Sequence, residues 1–233
     1  MQPYLFPYIG YFQLIQTVDK FVFYDDVNFI KQGWINRNRI LQQGNPVYFT
    51  LPVKNISSFN KICDTETDNR SYGLWRNKFL KTLQYNYSKA PFYQDTFALV
   101  ESCLAPEAVP VSDFAKKSIR ATAGYLGIST EIVDTSAVYG NANLSAQQRV
   151  IDICKKENAS MYINVSGGTE LYDASDFSAA GIELDFIKSK PVVYKQFDNA
   201  FCPGLSIIDI MMFCSKEETK NFLKEYILFK NNS

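Results

Sequence analysis

From residue 71 to residue 187 the chain alternates between stretches with helically spaced apolar residues and short apolar runs, and few folds accommodate that order. Leu74, Phe79, Leu80, Leu83 and Tyr87 recur near helical spacing over 71–87, and Ser88-Lys89-Ala90-Pro91 stops this helix and restarts another over 92–104. A third helix over 111–125 ends at Gly127 and feeds a strand at 128–133. Helix 145–158, with Ser145-x-x-Gln148 as a capping box, precedes a strand at 161–165, and 177–181 followed by 182–187 repeats the pair in miniature. Helices over 206–213 and 216–228 close the chain. The first third supplies a helix starting at Tyr11, a strand at 21–27, a turn at Asn45-Pro46 and a strand at 47–53. Short apolar strands separated by helices predict an α/β layered fold with a mostly parallel central sheet covered by helices.

With 233 residues, 46% of them hydrophobic, and no internal repeat or low-complexity linker, the chain suits a single domain over 1–233. Charges balance at 24 Lys and Arg against 24 Asp and Glu, so bulk electrostatics recommends neither a nucleic acid nor an anionic membrane surface as partner. The five cysteines lack metal-ligand spacing and there is no histidine, so they read as thiols of a reducing, cytoplasmic setting. No run approaches membrane-spanning length, which argues against integral membrane association. If Gln2-Pro3 closes a strand, the body of that strand would precede residue 1.

Three stretches carry candidate chemistry. Asp25-Asp26 ends the 21–27 strand, where carboxylates can orient an amine, act as acid or base, or hold a metal; adjacent strand residues face opposite sides, so one of the two lines a site. In Gly33-Trp34-Ile35-Asn36-Arg37-Asn38-Arg39 an extended backbone puts Arg37 and Arg39 on one face and Asn36 and Asn38 on the other. Two guanidinium forks suit phosphate or carboxylate; the structural alternative is ion pairing with Asp25 and Asp26, with Trp34 packed as core. Ser166-Gly167-Gly168 follows the 161–165 strand, where backbone N–H groups can meet a phosphate or an oxyanion and Tyr172 can stack on a ring; the alternative is a tight turn needing positive φ. Without a histidine or a Gly-x-Ser-x-Gly elbow, Ser166 is no covalent nucleophile. Lys89, at a helix break, and Tyr194 are further substrate-binding candidates, while Asp209 reads as a residue pinning the loop before it.

Gln2-Pro3-Tyr4-Leu5-Phe6-Pro7-Tyr8-Ile9-Gly10-Tyr11-Phe12-Gln13, Asp25-Asp26-Val27, Gly33-Trp34-Ile35-Asn36-Arg37-Asn38-Arg39-Ile40, Ser166-Gly167-Gly168-x-x-Leu171-Tyr172 and Leu205-Ser206-Ile207-Ile208-Asp209 together resemble the WbqC-like protein family over nearly the full chain. The resemblance implies a cytosolic protein of bacterial O-antigen and other surface-polysaccharide biosynthesis, handling an activated amino sugar by acyl or aminoacyl transfer. Its partners would be a nucleotide-linked or lipid-linked sugar and an acyl or aminoacyl donor. On that expectation Asp25 or Asp26 is catalytic, and Gln2, Tyr11, Asn36, Arg37, Asn38, Arg39, Lys89, Ser166, Gly167, Gly168, Tyr172 and Tyr194 bind substrate. The alternative is a non-catalytic sugar-nucleotide binding or assembly protein. No cofactor follows beyond a transient Mg²⁺ accompanying a pyrophosphate at Asp25 or Asp26. The opening strand, loop and helix also resemble those of nucleotidyltransferases with a histidine-glycine-histidine signature, but the histidines are missing.

Overall fold

The computed structural model describes residues 1–104, 106–197 and 200–230. An irregular segment leads into helix α1 (Ile9–Thr17), which buries every residue from Ile9 to Ile15. A helix apolar on all sides belongs inside a core, and its one internal amide is satisfied accordingly. Gln13 donates to the carbonyls of Phe222 and Glu225 at 2.8 and 3.0 Å and accepts from the Ser189 hydroxyl at 2.5 Å. Strand β1 (Lys20–Val22) follows, then the β2 (Arg37–Gln42) and β3 (Asn45–Thr50) hairpin. Three helices come next without an intervening strand: α2 (Asn69–Tyr87), α3 (Tyr93–Cys103) and α4 (Val111–Leu126), the last ended by Gly127 in the left-handed region at φ 73°. Then come β4 (Glu131–Val133), α5 (Ala146–Lys156), β5 (Met161–Val165), a 3-10 turn at Ser166–Leu171, α6 (Ala174–Ala179), β6 (Glu183–Ser189), α7 (Ile207–Phe213), α8 (Lys216–Phe222) and β7 (Tyr226–Phe229).

The structure corrects the expectation of one mostly parallel central sheet. Among the described residues the strands form three small sheets, β1-β4, β2-β3 and β5-β6-β7. The pairs β1·β4 and β5·β6 are parallel, whereas β2·β3 and β6·β7 are antiparallel. Two local causes account for the difference. Gln43 and Gly44 both take positive φ, 50° and 77°, the geometry of a tight two-residue hairpin turn, so β2 and β3 reverse instead of crossing over. That turn lies just before the expected Asn45-Pro46, and Pro46 sits inside β3 opposite Leu41 on an exposed strand. The expected helix over 216–228 stops at Phe222, and Tyr-Ile-Leu-Phe, all strand-favouring apart from Leu, pairs back on β6. The capping box also moves: Ser145 makes no side-chain cap bond, whereas Ser215 and Glu218 cap α8 reciprocally.

A large buried cluster gathers α1, β2, the three central helices and α7, with Phe12, Ile15, Phe23, Leu83, Phe114 and Met212 among its members. A smaller one joins α5, α6 and β6 through Ile151, Cys154, Phe177, Ile182, Leu184 and Phe186. The segment before α1 is tied into the larger cluster. Leu5 N–H donates to the Trp34 carbonyl (3.2 Å), Phe6 N–H to the Ser118 hydroxyl (2.9 Å), and the Asn38 amide to the Leu5 and Phe6 carbonyls (3.2 and 2.8 Å). Ser206 adds a bond to the Phe6 carbonyl (2.7 Å) and the Ile207 N–H one to Pro7 (2.9 Å). These bonds hold buried Phe6 at φ 42°, a backbone state a bulky residue adopts only under such constraint.

Candidate functional site

Beyond the end of β1, Asp25 and Asp26 are both buried and turn to different helices. Asp25 pairs with Lys116 of α4 at 2.7 Å and accepts from the Thr135 hydroxyl (2.7 Å) and the Ser136 N–H (3.3 Å). Asp26 receives Arg149 of α5 on both carboxylate oxygens at 2.5 Å, with the Ser136 hydroxyl as a further donor. The segment after β4 therefore clamps both carboxylates from one side. Burial alone would push the Asp26 carboxyl up, but the Ser136 hydroxyl and the Arg149 guanidinium outweigh it and hold it below the usual carboxylate range. Arg149 is itself fixed: Nε donates to Asn141 Oδ1 (2.9 Å), Asn141 donates on to Asp152 (2.6 Å), and the guanidinium lies 4.7 Å over the Tyr24 ring. This donor set does not fit Mg²⁺, because each carboxylate already faces a buried cation; among the described residues no group of three or more His, Cys, Asp or Glu converges.

Tyr24 connects this pair to the end of β5. Burial raises the Tyr24 hydroxyl pKa, Arg149 pulls it back, and Tyr172 lies close enough to add to the rise. The Tyr162 and Tyr172 hydroxyls meet at 3.3 Å, the Asn164 amide donates to Tyr162 (3.3 Å), and both rings pack on buried Phe177. Ser166, Gly167 and Gly168 close into a 3-10 turn directly after β5. Neither glycine has positive φ, so a strained turn is not why they are there. A Cβ on Gly168 would sit 3.2 Å from the Asn164 amide nitrogen, whereas one on Gly167 would meet only open space. Among the described residues the Ser166 hydroxyl has no protein partner. Asp26, Arg149 and Tyr24 thus form one polar cluster, and Tyr162, Tyr172 and Phe177 a second one at the end of β5, with Tyr24 and Tyr172 within electrostatic reach of each other.

The other expected site residues gather elsewhere. Extended β2 puts Asn38 inside and Arg37 and Arg39 at the partly exposed face, as the alternation requires, and Asn36, just before the strand, is buried too. The arginines do not pair with Asp25 or Asp26. Arg37 donates to the carbonyls of Gly33 (3.1 Å) and Gln32 and lies 4.7 Å over Tyr48, and Arg39 donates to the Gly204 carbonyl (2.7 Å) and lies 5.7 Å over Trp34. Trp34, which the structural alternative packed as core, is exposed and stacks on Tyr48. Arg39 Nε is buried without a partner among the described residues. Lys89 is exposed at the rim of a surface cavity of about 430 Å³ that also involves Leu41, Gly44, Tyr85 and Phe197. Tyr194 donates to Asp209 (2.6 Å), as do Tyr87 (2.6 Å) and the Gln196 amide (2.7 Å), so Asp209 does pin its loop. Tyr11 is fully buried and donates to the Gln2 carbonyl at 2.9 Å, which makes it core instead of a pocket wall. The candidates therefore divide into an Asp26–Tyr172 locus and a β2 locus, with the bonded Leu5–Phe6–Pro7 segment fixed against β2 and no described bond joining Arg37 or Arg39 to Ser166–Gly168.

Sequence reasoning missed Lys116, Arg149 and Tyr24. A signal exists for the first two. Arg149 lies four and five residues before Ile153 and Cys154 on the buried face of α5, and Lys116 three before Ile119 on that of α4; a cation on a buried helical face calls for a buried anion.

The comparisons with known proteins agree with the resemblance read from the motifs. The model of the WbqC-like protein family matches residues 2–221. The "Uncharacterized protein Rv1507c" of Mycobacterium tuberculosis is 30% identical over 212 residues, 88% of this chain and 88% of its own length. No solved structure matches. The family match spans both loci and nearly every element, and the chain belongs to the WbqC-like protein family.

Proposed function

We propose that the protein is a transferase of bacterial surface-polysaccharide biosynthesis that moves an acyl or aminoacyl group on to the amine of a nucleotide-linked or lipid-linked sugar. The observation that carries this reading is the set of hydroxyl-bearing rings, Tyr24 stacked under Arg149 at 4.7 Å and Tyr172 paired with Tyr162 just after the Ser166 turn, flat surfaces of the kind that a sugar ring packs against. In the reaction the sugar nitrogen bonds the donor carbonyl carbon, the carbon–sulfur or carbon–oxygen bond of the donor breaks, and the amine proton leaves with the departing group. Asp26 holds Arg149 and, being below the usual carboxylate range, orients instead of deprotonating. Asp25 positions Lys116 through their 2.7 Å ion pair. Arg39, with one guanidinium N–H unmet, and Arg37 are phosphate contacts on the β2 side.

One observation favours the second reading, a binding or assembly protein without catalysis: both carboxylates are taken by cations and the chain has no histidine, so the locus offers no evident base poised near neutrality. Incubation with nucleotide-linked amino sugars and thioester or aminoacyl donors, followed by mass spectrometry, separates the two. A donor-dependent mass gain on the sugar supports the transferase. Calorimetric binding of the sugar without product supports the binding protein, and absence of both removes the sugar reading.

A further inference from the structure

We propose that the protein docks on anionic lipid bilayers through a basic lobe tipped by Ile30, Ile56 and Phe59. This goes beyond the transferase reading and does not depend on it. The balanced net charge conceals a segregation: residues 27–94 hold ten of the Lys and Arg but three of the Asp and Glu. No acid occurs between Asp26 and Asp64 or between Asp68 and Asp95, and α2 carries Arg70, Arg76, Lys78 and Lys81 with no acid at all. Of the three acids, Glu66 is neutralised by Lys54 at 2.9 Å.

The tip is built by pairing between distant segments. An antiparallel bridge joins Asn28 to Lys61, and the Phe29 N–H donates to the Asn60 carbonyl at 2.8 Å, a register that brings Ile30 across from Phe59. The Asn60 N–H returns to the Ser57 carbonyl at 3.4 Å, folding the loop that carries Ile56 back on itself. Phe59 is 89% exposed, Ile30 50% and Ile56 48%, although the interior has many phenylalanines and isoleucines fully covered. Lys31 and Lys61 are exposed immediately beside them. Apolar tips entering the acyl boundary while lysines meet headgroup phosphates is how peripheral proteins hold an anionic bilayer. A nucleic acid would engage the cations and leave Ile30 and Ile56 with nothing to contact.

Co-sedimentation of the full chain with vesicles of phosphatidylglycerol and phosphatidylcholine, against phosphatidylcholine alone, tests the proposal. Binding is expected on the anionic vesicles only and to weaken as salt rises. Ile56→Ser/Phe59→Ser should lower it about tenfold through lost apolar burial, and Lys31→Glu/Lys61→Glu about tenfold through lost attraction. All four positions are exposed, so thermal melts of both double variants should match the parent; a variant that melts early is replaced by the corresponding alanine pair. No preference for anionic vesicles, or undiminished binding by the serine pair, overturns the proposal. So does tighter binding to single-stranded polyuridylate that needs the lysines but ignores Phe59.

Discussion

Asp26 and Asp209 are both buried side chains held by several donors, yet they are pushed in opposite directions. Asp26 meets a guanidinium and a hydroxyl and falls below the usual carboxylate range. Asp209 meets only neutral donors, Tyr194, Tyr87 and Gln196, and burial lifts it above that range despite them. The difference teaches that three neutral donors do not offset the desolvation of the fully buried Asp209, whereas the Ser136 hydroxyl and the Arg149 guanidinium together do so at Asp26. It also separates the two regions by role: a charged pair built next to the Tyr24 ring, and a neutral-donor knot that fastens α7 to α2 and to Tyr194 and Gln196.

The largest expected effect breaks the charged side of the comparison. Arg149→Met leaves Asp26 buried and unpaired and should cost about 3–5 kcal/mol in urea unfolding, while adding Asp26→Leu should recover much of it. If the single variant unfolds like the parent, the pair is not the anchor described. Next comes the neutral knot. Tyr87→Phe removes the donor to Asp209 and the acceptor of the Leu41 N–H (2.7 Å), and a loss of about 2 kcal/mol is expected for two buried partners left unmet. Smaller still is Gly204→Ala, where φ is 68° and the new Cβ would lie 2.9 Å from Arg39 Nη2; about 1 kcal/mol should be lost, measured by the same unfolding curves.

The pH dependence sharpens the contrast at the lower end of the scale. Because Asp26 is lowered in the folded state, its stabilisation is present above the unfolded value near 3.8 and fades as pH falls below it. Asp209 is raised, so the folded state holds its proton longer; its contribution is best below 3.8 and declines as pH rises from there towards the raised value. Asp209→Asn should flatten the second slope and leave the acid-side loss intact. Stability profiles by urea titration across this range that show the same slope in the variant would remove Asp209 as its source.

Much of the local structure is readable in the residues. Met161–Val165 is found at its bounds because polar residues bracket a short apolar run, and α2, α3 and α4 agree with the helical spacing to within about two residues. Pairing is not readable in the same way. Alternation reveals which segments are strands but not that Gln43-Gly44 would adopt two positive φ angles, nor that Tyr226–Phe229 would leave the helical pattern to join β6. The site follows the same division. Asp25-Asp26 and Ser166-Gly167-Gly168 stand out because paired carboxylates and a glycine pair after a strand supply groups that can meet a ligand, and the inward face of Asn36 and Asn38 follows from period two. Lys116 and Arg149 lie 91 and 123 residues from their aspartates, and their helices read as ordinary amphipathic ones until the tertiary fold supplies the anion.

The central claim is that the locus formed by Tyr24, Arg149, Tyr172 and the Ser166 turn receives an activated amino sugar, and calorimetric titration with nucleotide-linked amino sugars tests it most directly. The account predicts saturable binding by the parent protein and at least about tenfold weaker binding by Tyr172→Ala, through the lost ring contact, with Leu74→Ala, at an exposed position on α2, unchanged. Equal affinity in the parent and Tyr172→Ala, or no binding by the parent across the panel, would contradict it.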